Sequence, residues 1–263
     1  MFSLNDLYSI IDQIAPFEIS KKIIDEGGYD NSGIIIYDHE KVENILFTLD
    51  LSFESLKRAK TLKCDTIITH HPAIYTPIKT IDDQGQSAII KQAIKQGVNV
   101  ISAHLNLDFA VQGIDFYLAK SQGATDIKVL EKPNYARGYG SEFALKNTTL
   151  LDLVKALKTN LKTQKVTVYG NKNLIIDKVA SFCGGGSSTA VSMVEKGFTD
   201  ANVIVTSDMA HHQIKQLVES GKAIILLTHY ASENYGFNQF YAQVLSQLTG
   251  KVNAYYFEDK RFL

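Results

Sequence analysis

The run Thr66-Ile67-Ile68-Thr69 leads directly into His70-His71-Pro72, and this stretch constrains the fold more than any other in the chain. Four β-branched residues between polar flanks read as a short strand. Pro72 biases His71 toward extended backbone and has no amide to offer a ladder, so the strand ends here. Neighbouring side chains of a strand point to opposite faces; two adjacent imidazoles therefore serve one site only where the chain has left strand geometry. Polar residues delivered at the carboxyl end of a short apolar strand are what an open α/β sheet uses to place a ligand.

The pattern around this strand repeats it. Apolar spacing predicts a helix over 4–14, capped by Ser3 or Asn5 and ended by Pro16. Strands follow over 33–37 and 42–49, then a helix over 52–62, the strand at 66–69, a helix over 87–96 closed by Gly97, and a strand from Val98. This strand and helix alternation predicts an α/β fold with mainly parallel mixed sheets. Glu131 to Gly140, with Pro133 and two glycines, reads as a connection between domains. Beyond it lie predicted strands at 141–146, 165–170, 179–185, 201–206, 223–230 and 251–258, with helices over 150–161, 188–196, 211–220 and 234–248.

Composition sets limits on partners. A chain of 263 residues exceeds the usual single domain, so two domains are expected. With 27 basic and 28 acidic residues the net charge is −1, which supplies no field for nucleic acid. The N-terminus is amphipathic and acidic rather than a signal peptide, and no run nears the roughly 20 apolar residues of a membrane span. Cys64 and Cys183 form no CxxC pair and read as buried thiols, so the cytoplasm is the expected compartment and no membrane partner is expected.

Histidines and carboxylates recur at the ends of apolar strands: His70-His71; His104 with Asp108; Asp208 with His211-His212; and His229 with Glu233 four residues on. A helix starting near His229 would put that last pair on one face. Each cluster has an ordinary alternative, a helix cap for Asp108, an exposed first-turn acid for Glu233, a solvated face for His211-His212. Taken together, imidazole nitrogen plus carboxylate oxygen suits zinc, iron, manganese or cobalt, and three histidines with two carboxylates suit two ions sharing a carboxylate. Gly184-Gly185-Gly186-Ser187-Ser188 reads as a tight strand-to-helix turn, with a phosphate cradle as the alternative.

The ordered set DNSGI at Asp30, FTLDLS at Phe47, IITHHPAIY at Ile67, AHLNLDFAVQGID at Ala103, CGGGSS at Cys183, TSDMAHH at Thr206 and THYASE at Thr228 resembles the Nif-three-like family, whose members are commonly named GTP cyclohydrolase I type 2 homologues. The resemblance spans nearly the whole chain, in a short form without an inserted domain. It implies two metal ions per chain on His70, His71, Asp108, His229 and Glu233, with Glu233 bridging both, and His104 behind the ligands or handling substrate as a catalytic proton shuttle. It also implies a toroidal homohexamer with its sites facing the interior. Where the family usually carries glycine, this chain has Ser207 and Thr228.

The resulting expectation is two α/β domains, one from residues 1–130 plus 222–263 and one from 131–221, with metals in the cleft between them. The leading activity is a hydrolase of the cyclohydrolase type, in which metal-bound hydroxide opens the purine imidazole ring of a nucleotide such as GTP. The alternative is a non-catalytic metal-binding ring serving as scaffold, regulator or metal carrier.

Overall fold

A computed structural model describes all residues except Thr249 and Lys251. In chain order its elements are α1 (Leu4–Ile14), α2 (Phe17–Asp25), β1 (Gly33–Ile36), β2 (Asn44–Thr48), α3 (Phe53–Leu62), β3 (Thr66–Thr69), α4 (Gly85–Gln96), β4 (Asn99–Ser102), α5 (Leu105–Asp108), α6 (Ile114–Ser121) and β5 (Lys128–Glu131). They continue as β6 (Tyr139–Ala144), α7 (Leu150–Asn160), β7 (Val166–Tyr169), β8 (Lys178–Ser181), α8 (Ser187–Glu195), β9 (Val203–Thr206), α9 (His211–Glu219), β10 (Ala223–Leu227), α10 (His229–Gln247) and β11 (Asn253–Tyr256). The chain divides into two compact units, Met1–Ala110 with Asn238–Asp259, and Val111–Phe237 with Lys260–Leu263.

The first unit is built on a five-stranded sheet of order β1-β4-β3-β2-β11. Its four strands from β4 to β11 run parallel, and β1 closes one edge antiparallel to β4. All four residues of β3 and of β4 are buried, as expected of central parallel strands covered on both faces. On one face Leu46, Ile67 and Val100 pack with Leu56 and Ala59 of α3 and Ile90 and Ala93 of α4. A fully buried leucine or isoleucine contributes about 1.5–3 kcal/mol, so this layer fixes the carboxyl ends of β2, β3 and β4 side by side. Local signals agree with it. Ser3 Oγ accepts from the Asp6 amide at 3.0 Å while Asp6 Oδ2 accepts from the Ser3 amide at 2.8 Å, a capping box on α1. Gly97 closes α4 in the left-handed region at φ 63°.

The second unit carries a six-stranded sheet, β5-β6-β8-β9-β10-β7. Only β8, β9 and β10 are mutually parallel; β5/β6, β6/β8 and β10/β7 are antiparallel, so this sheet is mixed. Ala180, Phe182 and Ile204 pack against Ala190 and Met193 of α8 and Leu217 of α9.

Three sequence expectations need correction. The segment after Glu131 links β5 to β6 inside one sheet, with Val129 opposite Ser141, and is not a linker between domains. β10 pairs with β9 and β7, so 223–227 belongs to the second sheet, and only β11 of the C-terminal strands joins the first. The compact units accordingly divide after Ala110 and Phe237 rather than after residues 130 and 221. The final helix starts at His229, not Asn234. Pro16 ends α1, and it also opens α2, because its fixed φ and missing amide are tolerated at a helix start. Among the described residues no helix is long and apolar enough to cross a membrane.

Candidate metal centre

In the first unit, β3 stops at Thr69 and the amides of His70 and His71 both reach the Leu49 carbonyl, at 3.1 and 3.0 Å. Thr69 Oγ1 donates to the His71 carbonyl at 2.8 Å, locking the bend. The chain has thus left strand geometry at His70, and the two rings lie 4.9 Å apart. β4 delivers His104, whose ring is 5.2 Å from that of His70 and 5.9 Å from that of His71. One ligand atom from each of His70, His71 and His104 lies within 4.8 Å of the others, a group able to hold a metal ion. The short helix α5 brings back Asp108, whose Oδ1 is 3.6 Å from His70 Nε2. Asp108 is buried, so its role is not that of an exposed cap, and the N-cap of α6 is Gly113, with no side-chain cap bond.

Each imidazole in this set is held through Nδ1. His70 Nδ1 is 2.8 Å from the Ala103 carbonyl, His71 Nδ1 is 2.7 Å from Asp50 Oδ1, and His104 Nδ1 is 2.7 Å from Asp30 Oδ1. Sheet register explains the pairings. Thr48 sits opposite Thr69 in the parallel β2/β3 pair, so the acid two residues beyond β2 meets the second histidine beyond β3. Gly33 opposes Ser102 in the antiparallel β1/β4 pair, which puts the turn residues before β1 beside His104. Burial pushes the Asp30 carboxyl up, but hydrogen bonds from His104, Ser20 and Ser32 and the charge of His104 more than offset it and hold Asp30 below the usual carboxylate range.

In the second unit, His229 opens α10 and its Nε2 lies 3.0 Å from Oε1 of Glu233, one turn on. Glu233 is only 2% exposed, which rules out a solvated first-turn acid. His229 Nδ1 is hydrogen-bonded to Asp208 Oδ2. Thr206 opposes Leu226 in the parallel β9/β10 pair, so the residues just past each strand meet. Gly184, in the left-handed region at φ 53°, packs against this pair: a β-carbon there would strike Glu233 Oε1 and lie 3.3 Å from His229 Nε2. The glycine run is therefore the tight turn into α8, and it leaves the donor atoms room that a side chain would fill. His211 and His212 are exposed at the start of α9 and join no metal-binding group among the described residues.

The donor chemistry fits a metal ion. Imidazoles bonded at Nδ1 to a carboxylate or carbonyl present Nε2 as the ligand atom, the arrangement metal-binding histidines almost always adopt. The sequence singled out His70, His71, His104, Asp108, His229 and Glu233; the supporting Asp50 and Asp30 carry no local signal of such a role, because their relevance depends on which strands are neighbours.

Comparison with known proteins agrees with the fold. Residues 2–260 match the Duf34/NIF3 (NGG1p interacting factor 3) family. The chain is 30% identical over 235 residues to a GTP cyclohydrolase 1 type 2 homolog of Clostridium perfringens, covering 88% of this chain and 86% of that one. It is 29% identical over 222 residues to the NIF3 homolog of Schizosaccharomyces pombe, covering 78% and 77%. In structure it is similar to a hypothetical protein of Staphylococcus aureus with a TM-score of 0.83 at 23% identity, over 98% of this chain and 97% of the other. HcgD from Methanocaldococcus jannaschii superposes with a TM-score of 0.80 at 23% identity over 98% of each chain. The chain belongs to the Duf34/NIF3 family.

Proposed function

We propose that the protein is a dinuclear metal-dependent hydrolase of the GTP cyclohydrolase 1 type 2 kind, with His70, His71, Asp108, His229 and Glu233 as ligands to two divalent ions of zinc, iron, manganese or cobalt. The observation that carries this reading is the shared arrangement of the four histidines. Each has Nδ1 on an oxygen acceptor, in three cases a carboxylate, which orients Nε2 toward a cation. The joining of the two donor sets into one centre, with Glu233 as the shared ligand, is part of the proposal, as is assembly into a toroidal homohexamer.

When bound, such ions acidify water and polarise an oxygen or imine carbon of the substrate. The chain's own contribution is to orient the ligands through Asp50, Asp208 and the Ala103 carbonyl, and to move a proton. His104 takes the second task. Asp30, held ionised, fixes its ring at Nδ1 and balances the charge gained when Nε2 takes a proton from the attacking water and later delivers it to the leaving nitrogen. The substrate class is a purine nucleotide, with GTP as the test case, on the strength of the names of relatives.

The decisive experiment measures metal content, particle mass and formate released from GTP on the same preparations. Glu233→Gln should lower bound metal more than His104→Ala does. Asp108→Asn should abolish turnover, and His104→Ala should slow it roughly 10²–10⁴-fold, the usual worth of a positioned proton shuttle. Metal-loaded wild-type protein that releases no formate removes the cyclohydrolase reading, and a metal-binding scaffold or carrier then takes its place.

A further inference from the structure

The Gly184 peptide is gripped on both sides. Its amide donates to Ser232 Oγ at 2.9 Å, and Ser232 Oγ in turn donates to the His229 carbonyl at 2.7 Å, which ties the turn to the first turn of α10. Its carbonyl accepts a hydrogen bond from Ser207 Oγ, and the preceding carbonyl, of Cys183, accepts one from Tyr139 Oη. Ser207 and Ser232 are fully buried. Ser207 also precedes Asp208, a non-glycine residue held in the left-handed region at φ 51°, whose carboxylate bonds His229 Nδ1. One buried hydroxyl thus connects the turn packed against the Glu233 carboxylate to the backbone that aims the His229 acceptor.

We propose that Ser207 and the Gly184 peptide it holds are a positioning device for Glu233 and His229, setting the metal affinity of that donor pair. The inference rests on the metal-binding reading above and goes beyond it. Gly184 has two separate requirements to meet, a left-handed backbone and bare space where a β-carbon would overlap Glu233 Oε1. The space is the functional one: a methyl group at this point pushes the carboxylate away from His229. The Ser207 hydroxyl prevents the peptide from rotating out of that contact. Hydrogen-bonding groups behind metal ligands are typically worth 10–100-fold in affinity.

The test is Zn²⁺ affinity by competition with a chromophoric chelator on the full-length protein, with thermal unfolding in excess chelator as the measure of fold. Gly184→Ala is expected to weaken Zn²⁺ binding by roughly 10–100-fold and Ser207→Ala by roughly 10-fold. Glu233→Asp, which draws the carboxylate back by one methylene, should weaken binding alone but restore part of what Gly184→Ala loses, so that the double variant binds tighter than the two single effects predict. Variants that lose stability in chelator yet bind Zn²⁺ as the wild type does would make these contacts structural only and overturn the inference. Strict additivity of Gly184→Ala and Glu233→Asp would overturn it as well. Wild-type protein that binds no Zn²⁺, Mn²⁺ or Fe²⁺ would instead overturn the metal reading itself, and this inference with it.

Discussion

His71 Nδ1 lies 2.7 Å from Oδ1 of Asp50, an acid that stands two residues past the end of β2 and 21 residues before its partner. The pair exists because β2 and β3 are parallel neighbours in register, and it gives the first test of ligand orientation. Asp50→Ala removes the acceptor from a partly exposed position, so the fold should hold while metal affinity falls by roughly 10–100-fold. Chelator competition reads the affinity and unfolding without metal reads the fold; wild-type affinity in the variant would exclude His71 as an oriented ligand.

Away from the donor sets, Asp115 is buried with Arg137 Nη1 at 3.1 Å from Oδ2, and Ser141 Oγ donates to the same oxygen at 2.6 Å. Burial pushes the Asp115 carboxyl up, against Arg137, Ser141 and the Gly140 amide, which hold it down. A carboxyl whose folded pKa is raised binds more protons folded than unfolded, so its contribution to stability is best at low pH and declines as pH rises through the folded value. Arg137→Met takes away the main opposing charge and leaves a buried carboxylate. Relative to wild type, the variant should be about 3–5 kcal/mol less stable at pH 7, the usual loss when one partner of a buried pair is removed, and clearly less affected at pH 5. Urea midpoints at the two pH values check this; an equal deficit at both would contradict the assignment.

The histidine clusters could be read from the sequence because each follows closely on an apolar run, where a strand must end. His229 and Glu233 were legible as an i, i+4 pair, although the helix that carries them starts five residues earlier than its apolar spacing suggests, since Tyr230, Ser232 and Glu233 are buried polar or mixed residues that blur the stripe. Asp50, Asp30 and Ser207 could not be assigned roles, because each acts on a residue brought near by strand order, and strand order is not written locally. The antiparallel flanks of the second sheet were hidden for the same reason. β5, four residues long and half-exposed at an edge, lacks the apolar run that marks a strand.

Cys64 offers a test of burial in the first unit. Its thiol is pushed up to about 12, chiefly by burial and then by the charge of Asp65. At pH 8 only roughly one such thiol in 10⁴ is ionised, and the thiolate is the reacting species. Native protein should therefore leave Cys64 unlabelled by iodoacetamide at pH 8, and labelling should follow unfolding in urea. Peptide mapping after brief exposure reads the outcome, and rapid native labelling of Cys64 would show that the layer between α3 and the sheet opens readily.

Gly236 lies inside α10, three residues past Glu233, where a β-carbon would come 2.7 Å from Ile114 Cα and 3.1 Å from its carbonyl oxygen at the start of α6. Alanine is favoured over glycine within a helix by about 1 kcal/mol, so propensity alone predicts a stabilised Gly236→Ala variant. The clash predicts the reverse. Its nearest atoms are backbone, which no rotamer change can move, and overpacking of this kind costs about 1–3 kcal/mol. Two further consequences follow from the position of Gly236 on the helix that carries the donor pair, within one turn of Glu233. If α10 yields, His229 and Glu233 move with it, so metal affinity should fall together with the melting temperature; if α6 yields instead, stability should fall while affinity stays. Differential scanning calorimetry without metal, paired with Zn²⁺ competition, separates the two, and a Gly236→Ala protein that melts at or above the wild-type temperature would show that α6 and α10 are not packed backbone to backbone.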